Sequence, residues 1–194
     1  MRPQIVLFGD SITEQSFRPG GWGAALADTY SRKADVIVRG YGGYNTRWAL
    51  FLLNHLIPLE YSPTMLVVLI TPPPVNEEGR KEYARSVYGE KAVDLPERTN
   101  EMAGVYAKLC VELAKELGLS SINLWSKMQE TEGWEKKFLS DGLHLTEEGN
   151  AILHQEVVRV FNEAWLCASE MPYDFPHHSE IDWRNPENAF QQRC

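Results

Sequence analysis

Three side chains raise the chemical question. Ser11 closes the run Gln4-Ile5-Val6-Leu7-Phe8-Gly9-Asp10-Ser11, and Asp141 and His144 stand in Ser140-Asp141-Gly142-Leu143-His144-Leu145-Thr146. A carboxylate three residues before an imidazole in a short loop aims both side chains the same way. The acid then fixes the tautomer of a ring that takes a proton from a serine hydroxyl. Gly-Asp-Ser alone suits an ordinary strand-to-helix turn; with Asp-x-x-His downstream, in the order Ser, Asp, His, it reads as a nucleophile with its base.

The elements that position these groups follow from hydrophobic pattern. Residues 4–8 form a continuous apolar run, read as a parallel strand buried on both faces, with Ser11 in the crevice beyond its carboxyl end. A first crossover helix carries Trp22, Ala25, Leu26 and Tyr30 at helical spacing, and a second strand covers 36–38. The glycines at 20, 21 and 23 match neither dinucleotide nor Walker spacing, so they are turn chemistry and a nucleotide-binding module is disfavoured. The loop Gly40-Tyr41-Gly42-Gly43-Tyr44-Asn45-Thr46 is open to two readings. It is a permissive turn, or the Gly43 N–H donates to a developing oxyanion beside the N–H of Ser11.

Further along, 46–57 reads as a helix with Trp48, Leu52, Leu53 and Leu56 inward, and Glu60-Tyr61-Ser62-Pro63 breaks the chain. Residues 65–70 are the strongest buried-strand signal, ended by Thr71 and Pro72 to Pro74. The polar stretch 76–98 is expected as a solvated segment with about one helical turn, placed to act as a lid. Residues 99–117 form a long amphipathic helix with Met102, Val105, Tyr106, Leu109, Leu113 and Leu117 on its inner face, stopped by Gly118. A last strand is expected over 121–125 and a surface helical region over 127–138. Thr146 caps a final helix whose inner stripe is Ile152, Val157, Val160, Phe161 and Trp165.

Gly9-Asp10-Ser11, the glycine loop 40–46 and Asp141-x-x-His144 resemble, in that order, the GDSL or SGNH esterases and lipases. The closest likeness is to the isoamyl acetate-hydrolysing esterase branch in its plant form, and it runs to about residue 165. The resemblance implies a three-layer α/β/α, flavodoxin-like fold with a parallel sheet. It also implies a carboxylic ester hydrolase without a cofactor, in which Ser11 is the nucleophile, His144 the base and Asp141 the orienting carboxylate. Oxyanion donors would be the N–H groups of Ser11 and Gly43.

The family's third block, Gly-x-Asn-Asp, occurs nowhere in this chain, and the strand and helix that belong with it are missing between 57 and 63. The family sheet order 2-1-3-4-5 therefore reduces to about four strands, 2-1-4-5, with 65–70 moved beside 4–8. Asn45 and Asn76 are the candidates to replace the lost asparagine donor. The expected function is a serine esterase or lipase acting on small acetate-type esters through an acyl-enzyme. The alternative is a weakened or inactive variant of such an enzyme.

The bulk properties agree with a small-substrate enzyme. A formal net charge of -8 leaves no basic stripe to neutralise phosphates, which argues against a nucleic-acid partner. Cys110, Cys167 and Cys194 make no disulfide framework and no metal spacing. Adjacent His177 and His178 without further ligands are read as solvated, so no metal is expected. With no signal-like segment and no apolar span, the expected location is the cytoplasm. The expected organisation is one domain over 1–168. An aromatic-rich tail, 169–194, docks on the domain or on a neighbouring subunit of a homodimer.

Overall fold

The computed structural model describes residues 2–56, 65–92 and 98–190. Strand β1 (Gln4–Gly9) is followed by the single-turn helix α1 (Ser11–Glu14) and by α2 (Trp22–Thr29). Then come β2 (Asp35–Gly40), α3 (Thr46–Leu56), β3 (Val68–Ile70), α4 (Glu77–Tyr88) and α5 (Asn100–Leu117). The remainder is β4 (Ser120–Ile122), α6 (Leu124–Gln129), α7 (Trp134–Lys137) and α8 (Glu147–Glu163).

The protein is α/β with parallel strands, paired two by two: β1 with β2, and β3 with β4. Ile5 lies opposite Val36, Leu7 opposite Val38 and Gly9 opposite Gly40, so both strands of the first ladder end level with each other. In these labels the sequence expected the order β2-β1-β3-β4. Its outer pairings are both made, while among the described residues no ladder joins β1 to β3. The third strand is also shorter than the expected 65–70, covering Val68–Ile70 only. Its anchoring is on the β4 side, where Thr71 N donates to Ile122 O at 3.0 Å and Thr71 Oγ1 accepts from Trp125 N at 3.2 Å. The shortened stretch between 57 and 63 and Cys194 lie outside the described residues.

One face of the strands is closed. Ile5, Leu7 and Ile122 meet Trp22, Leu26 and Tyr30 from α2 and its end. Leu124 and Met128 of α6 and Leu153, Val157, Val160 and Phe161 of α8 complete the same core. Each such side chain contributes roughly 1.5–3 kcal/mol through burial.

The opposite face is open, which corrects three expectations. Helix α5 forms where predicted, with Thr99 Oγ1 accepting from Met102 N and Gly118 at φ 65° closing it. Yet Met102, Val105, Tyr106, Leu109, Leu113 and Leu117 are all exposed, and the helix buries Ala103, Ala107 and Ala114 instead. Helix α3 buries no residue, and its Trp48 and Phe51 face solvent. Val6, on the other side of β1 from Ile5 and Leu7, is 40% exposed, so β1 is buried on one face rather than two.

Three other expectations change. The polar stretch after residue 75 is not a nearly helix-free lid, although 93–97 lie outside the described residues. It holds the 12-residue α4, capped by Asn76, whose Oδ1 accepts from Gly79 N, with Glu77 and Glu78 in its first turn. Strand β4 stops at Ile122 because Asn123 accepts from Ser126 N and starts α6. Residues 127–138 divide between α6 and α7, and Met128 and Phe138 are buried.

Past α8 the chain runs back along the α2–β2 turn. Lys33 Nζ donates to Ala168 O, Arg32 pairs with Asp174 at 3.2 Å, and Asp174 N donates to Arg32 O at 2.9 Å. Phe175 meets Phe190 edge-on, while Trp183 stays exposed. No described helix is long and apolar enough to cross a membrane.

The two faces make opposite demands on leucine. Leu153→Ala on α8 is expected to cost about 2–5 kcal/mol through loss of burial and a cavity. Leu109→Ala on α5 is expected to cost less than about 1 kcal/mol, because it removes little buried area. Urea unfolding of the two variants checks this; equal losses would mean that the α5 stripe is covered.

Candidate active site

The sequence places Ser11 at the boundary between β1 and α1, and the structure shows what fixes it there. Asp10 caps the helix, its Oδ1 accepting from Ile12 N at 2.9 Å. Trp22 Nε1 donates to Ile12 O at 3.2 Å, and Trp22 N donates to Asn150 Oδ1 at 3.1 Å. The serine turn is therefore tied through α2 to α8.

The loop carrying Asp141 and His144 is anchored at both ends. Leu139 and Leu145 form an antiparallel bridge, and Ser140 N donates to His144 O at 2.8 Å. Thr146 N donates to Phe138 O, and Thr146 Oγ1 caps α8 by accepting from Gly149 N at 3.1 Å. Phe138 and Leu139 are buried, so the hairpin-like loop stands on the core.

These anchors bring the three predicted side chains together across 133 residues of chain. His144 Nε2 lies 2.9 Å from Ser11 Oγ, and His144 Nδ1 lies 2.7 Å from Asp141 Oδ2. A carboxylate only accepts, so Nδ1 carries the proton and the bare Nε2 accepts from the serine hydroxyl. Asp141 Oδ1 accepts from the backbone N–H groups of Leu143 and His144 at 3.0 and 2.8 Å. Burial alone would raise the Asp141 pKa. The bonds from the His144 ring and from the His144 and Leu143 amides outweigh it and hold the carboxyl well below the usual range.

Gly43 sits at φ 78° in the loop after β2. That loop is tied to the serine turn from two sides, by Tyr41 N donating to Gly9 O at 2.9 Å and Gly42 N donating to Glu14 Oε2 at 2.5 Å. Among the described residues, neither the Ser11 N–H nor the Gly43 N–H donates to another protein group. The two asparagines considered as replacement donors both serve as helix caps through the side-chain oxygen, which orients them without using the Nδ2 donor. Asn45 Oδ1 accepts from Trp48 N, and Asn76 Oδ1 accepts from Gly79 N. Neither makes a bond to Ser11 or His144 among the described residues. No group of three or more His, Cys, Asp or Glu side chains among the described residues is gathered to hold a metal.

Sequence reasoning missed Arg80. On α4, its Nη1 donates to Asp141 Oδ2 at 3.1 Å and to Asp141 O at 3.4 Å. The signal was present as Asn76 followed by Glu77 and Glu78, an N-cap with an acidic first turn, which marks a helix and so brings Arg80 onto a defined face. Gly142 makes this approach possible: it sits at φ 79°, and a Cβ there would run into Asn76 O and Arg80 N.

Gly142→Ala is therefore expected to destabilise by more than Gly133→Ala, which has a similar positive φ, 71°, but open space around it. The dihedral term alone costs about 1–2 kcal/mol, and chemical denaturation of both variants isolates the extra crowding at 142. Asp141 sets a pH signature as well. Its folded-state pKa is depressed, so its stabilisation is fully present above the unfolded value of about 3.9 and is lost as pH falls below it. The stability gap between wild type and Asp141→Asn is expected to hold from pH 7 to about pH 5 and to shrink below about pH 4 in acid-dependent urea titrations.

Known proteins resemble this chain along its length. A family model described as GDSL-like lipase/acylhydrolase matches residues 5–60 and 50–157, two segments that meet at 50–60. A GDSL esterase/lipase of Arabidopsis thaliana is 59% identical over 241 aligned positions that cover 100% of both chains. Set against 194 residues here, that alignment leaves 47 positions of the relative opposite a gap. An isoamyl acetate-hydrolyzing esterase 1 homolog of Mus musculus is 33% identical, covering 95% of this chain and 90% of its own. Among solved structures, a lipase/acylhydrolase from Enterococcus faecalis superposes with a TM-score of 0.65 at 22% identity. It covers 91% of this chain and 100% of the other. Matched by the family model at both ends of the site and by relatives along its whole length, the chain belongs to the GDSL-like lipase/acylhydrolase family.

Proposed function

We propose that this protein hydrolyses small carboxylic esters through an acyl-enzyme formed on Ser11. The observation that carries the reading is the relay itself: Ser11 Oγ on His144 Nε2 at 2.9 Å, with His144 Nδ1 on Asp141. Ser11 Oγ attacks the ester carbonyl as His144 Nε2 takes its proton, giving a tetrahedral oxyanion. Collapse expels the alcohol, which receives that proton from His144. Water then attacks the acyl-serine, His144 again takes the proton and returns it to Ser11 Oγ, and the carboxylic acid leaves. Asp141 keeps the proton on Nδ1 and offsets the imidazolium charge without itself being protonated. The free N–H groups of Ser11 and Gly43 are the oxyanion donors.

Acetate-type, short-acyl esters are the proposed substrates, supported by the names of the isoamyl acetate-hydrolyzing relatives. The net charge of -8 fits a small neutral substrate better than a nucleic acid, and the free thiols Cys110 and Cys167 suit the reducing cytoplasm.

One observation favours a weaker catalyst: both candidate asparagines are held as helix caps through Oδ1, and neither bonds to Ser11 or His144 among the described residues. Losing one donor costs about 10²–10³ in turnover. Hydrolysis of p-nitrophenyl acetate and butyrate tests both readings. Ser11→Ala is expected to lower turnover at least about 100-fold and to abolish labelling by a fluorophosphonate. Equal rates for Ser11→Ala and wild type would remove the esterase reading, whereas stoichiometric labelling with slow turnover would identify the weakened form.

A further inference from the structure

The inference drawn here rests on the esterase reading and concerns a residue outside the three-residue relay. We propose that Arg80 is a positioning residue for the reaction, a clamp that holds the Asp141 carboxylate in the orientation that aims His144 at Ser11. The geometry is specific. Asp141 has two carboxylate oxygens, and each has a separate duty. Oδ1 is spent on the loop's own backbone, accepting from Leu143 N and His144 N. Oδ2 is the atom that faces the imidazole, and it is the atom Arg80 Nη1 grips at 3.1 Å.

Rotation about the Cβ–Cγ bond moves both oxygens, so the two amides on Oδ1 already resist it, and a second donor on Oδ2 adds to that hold. The guanidinium supplies this second donor, and the same Nη1 also reaches Asp141 O at 3.4 Å, tying side chain and main chain together. The pair is largely shielded, with side-chain exposures of 13% for Arg80 and 15% for Asp141. A charge-assisted bond in such a setting exceeds a surface ion pair. Arg80 is itself held in place, its guanidinium lying 4.8 Å over the Tyr83 ring one turn along α4.

The clamp arrives as a unit. Asn76 N donates to Gly142 O at 2.9 Å, and the first turn of α4 lies flush on Gly142, where only glycine fits. The start of α4 is thus docked on the loop between Asp141 and His144. The arginine comes from an element that touches neither Ser11 nor His144 by any hydrogen bond among the described residues. Its effect passes through Asp141, which separates a positioning role from a catalytic one.

The test is a double-mutant cycle on the full chain. Arg80→Gln is expected to lower kcat about ten-fold with KM changed less than two-fold, since the substrate never meets the guanidinium. Arg80→Lys restores most of the loss through a single charged donor. In an Asp141→Asn background, Arg80→Gln is expected to have little further effect, because the carboxylate it orients is gone. A readout independent of turnover accompanies these rates: the downfield proton resonance of the His144 Nδ1–H, present in wild type, is expected to shift or broaden in Arg80→Gln and to return in Arg80→Lys. Unchanged kcat and resonance in Arg80→Gln, or full additivity with Asp141→Asn, would overturn the clamp. A Ser11→Ala variant as active as wild type overturns the esterase reading instead, and the Nδ1–H resonance still decides the clamp in that case.

Discussion

The structure depends on one apolar layer that spans the two ladders. β1 and β3 share no hydrogen-bonded ladder among the described residues, so nothing in the sheet itself sets their spacing. Ile5 and Leu7 from one ladder and Ile122 from the other are instead held in a single core, closed by α2, α6 and α8. Directional bonds fix each ladder internally, and non-directional burial fixes one ladder against the other. Ser11 leaves one ladder, and the loop bearing His144 leads directly into α8, which packs on β4 and on α2, the helix that packs on β2. The 2.9 Å contact between them is therefore a consequence of packing on this face.

The same division explains what the opposite face does not do. Its helices, α3 and α5, carry the large apolar residues that a closed sheet would need, yet these residues stay exposed while the small alanines of α5 make the buried contacts. The Arabidopsis thaliana relative has 47 aligned positions opposite a gap in this chain, and the two matches of the family model overlap at 50–60, where α3 ends.

How much of this was legible in the residues divides along the same physical line. Ser11, Asp141 and His144 were readable because their spacing expresses local chemistry: a strand end, and a short loop that aims two side chains alike. The α5 helix was readable because period and caps are local, with Thr99 before it and Gly118 after. Which face of α5 meets protein was not readable. A stripe such as Met102, Val105, Leu109 and Leu113 reports what a helix is able to bury, while its partner belongs to another part of the chain. Strand β1 was misjudged on one face for the same reason, Val6 remaining 40% exposed. Arg80 was hidden by the high polarity around it: Glu77, Glu78, Lys81 and Glu82 resemble a solvated loop until Asn76 is recognised as a cap.

Proton handling and charge handling are separable parts of this chemistry, and the chain has kept them unequally. Moving the serine proton needs an oriented imidazole, and every group for it is present: Nε2 on Ser11, Nδ1 on Asp141, two amides and Arg80 on the carboxylate. Stabilising the negative charge that appears on the carbonyl oxygen needs donors waiting before it forms, and on the proposed reading those among the described residues are the N–H groups of Ser11 and Gly43. Catalysis counts only interactions that strengthen as the transition state is reached. An intact relay therefore raises the reactivity of Ser11 toward any electrophile, while the missing donor weighs most on substrates that build a full oxyanion. Turnover of an ester draws on both parts twice, at acylation and again at deacylation, whereas a reagent that traps the serine draws on them once.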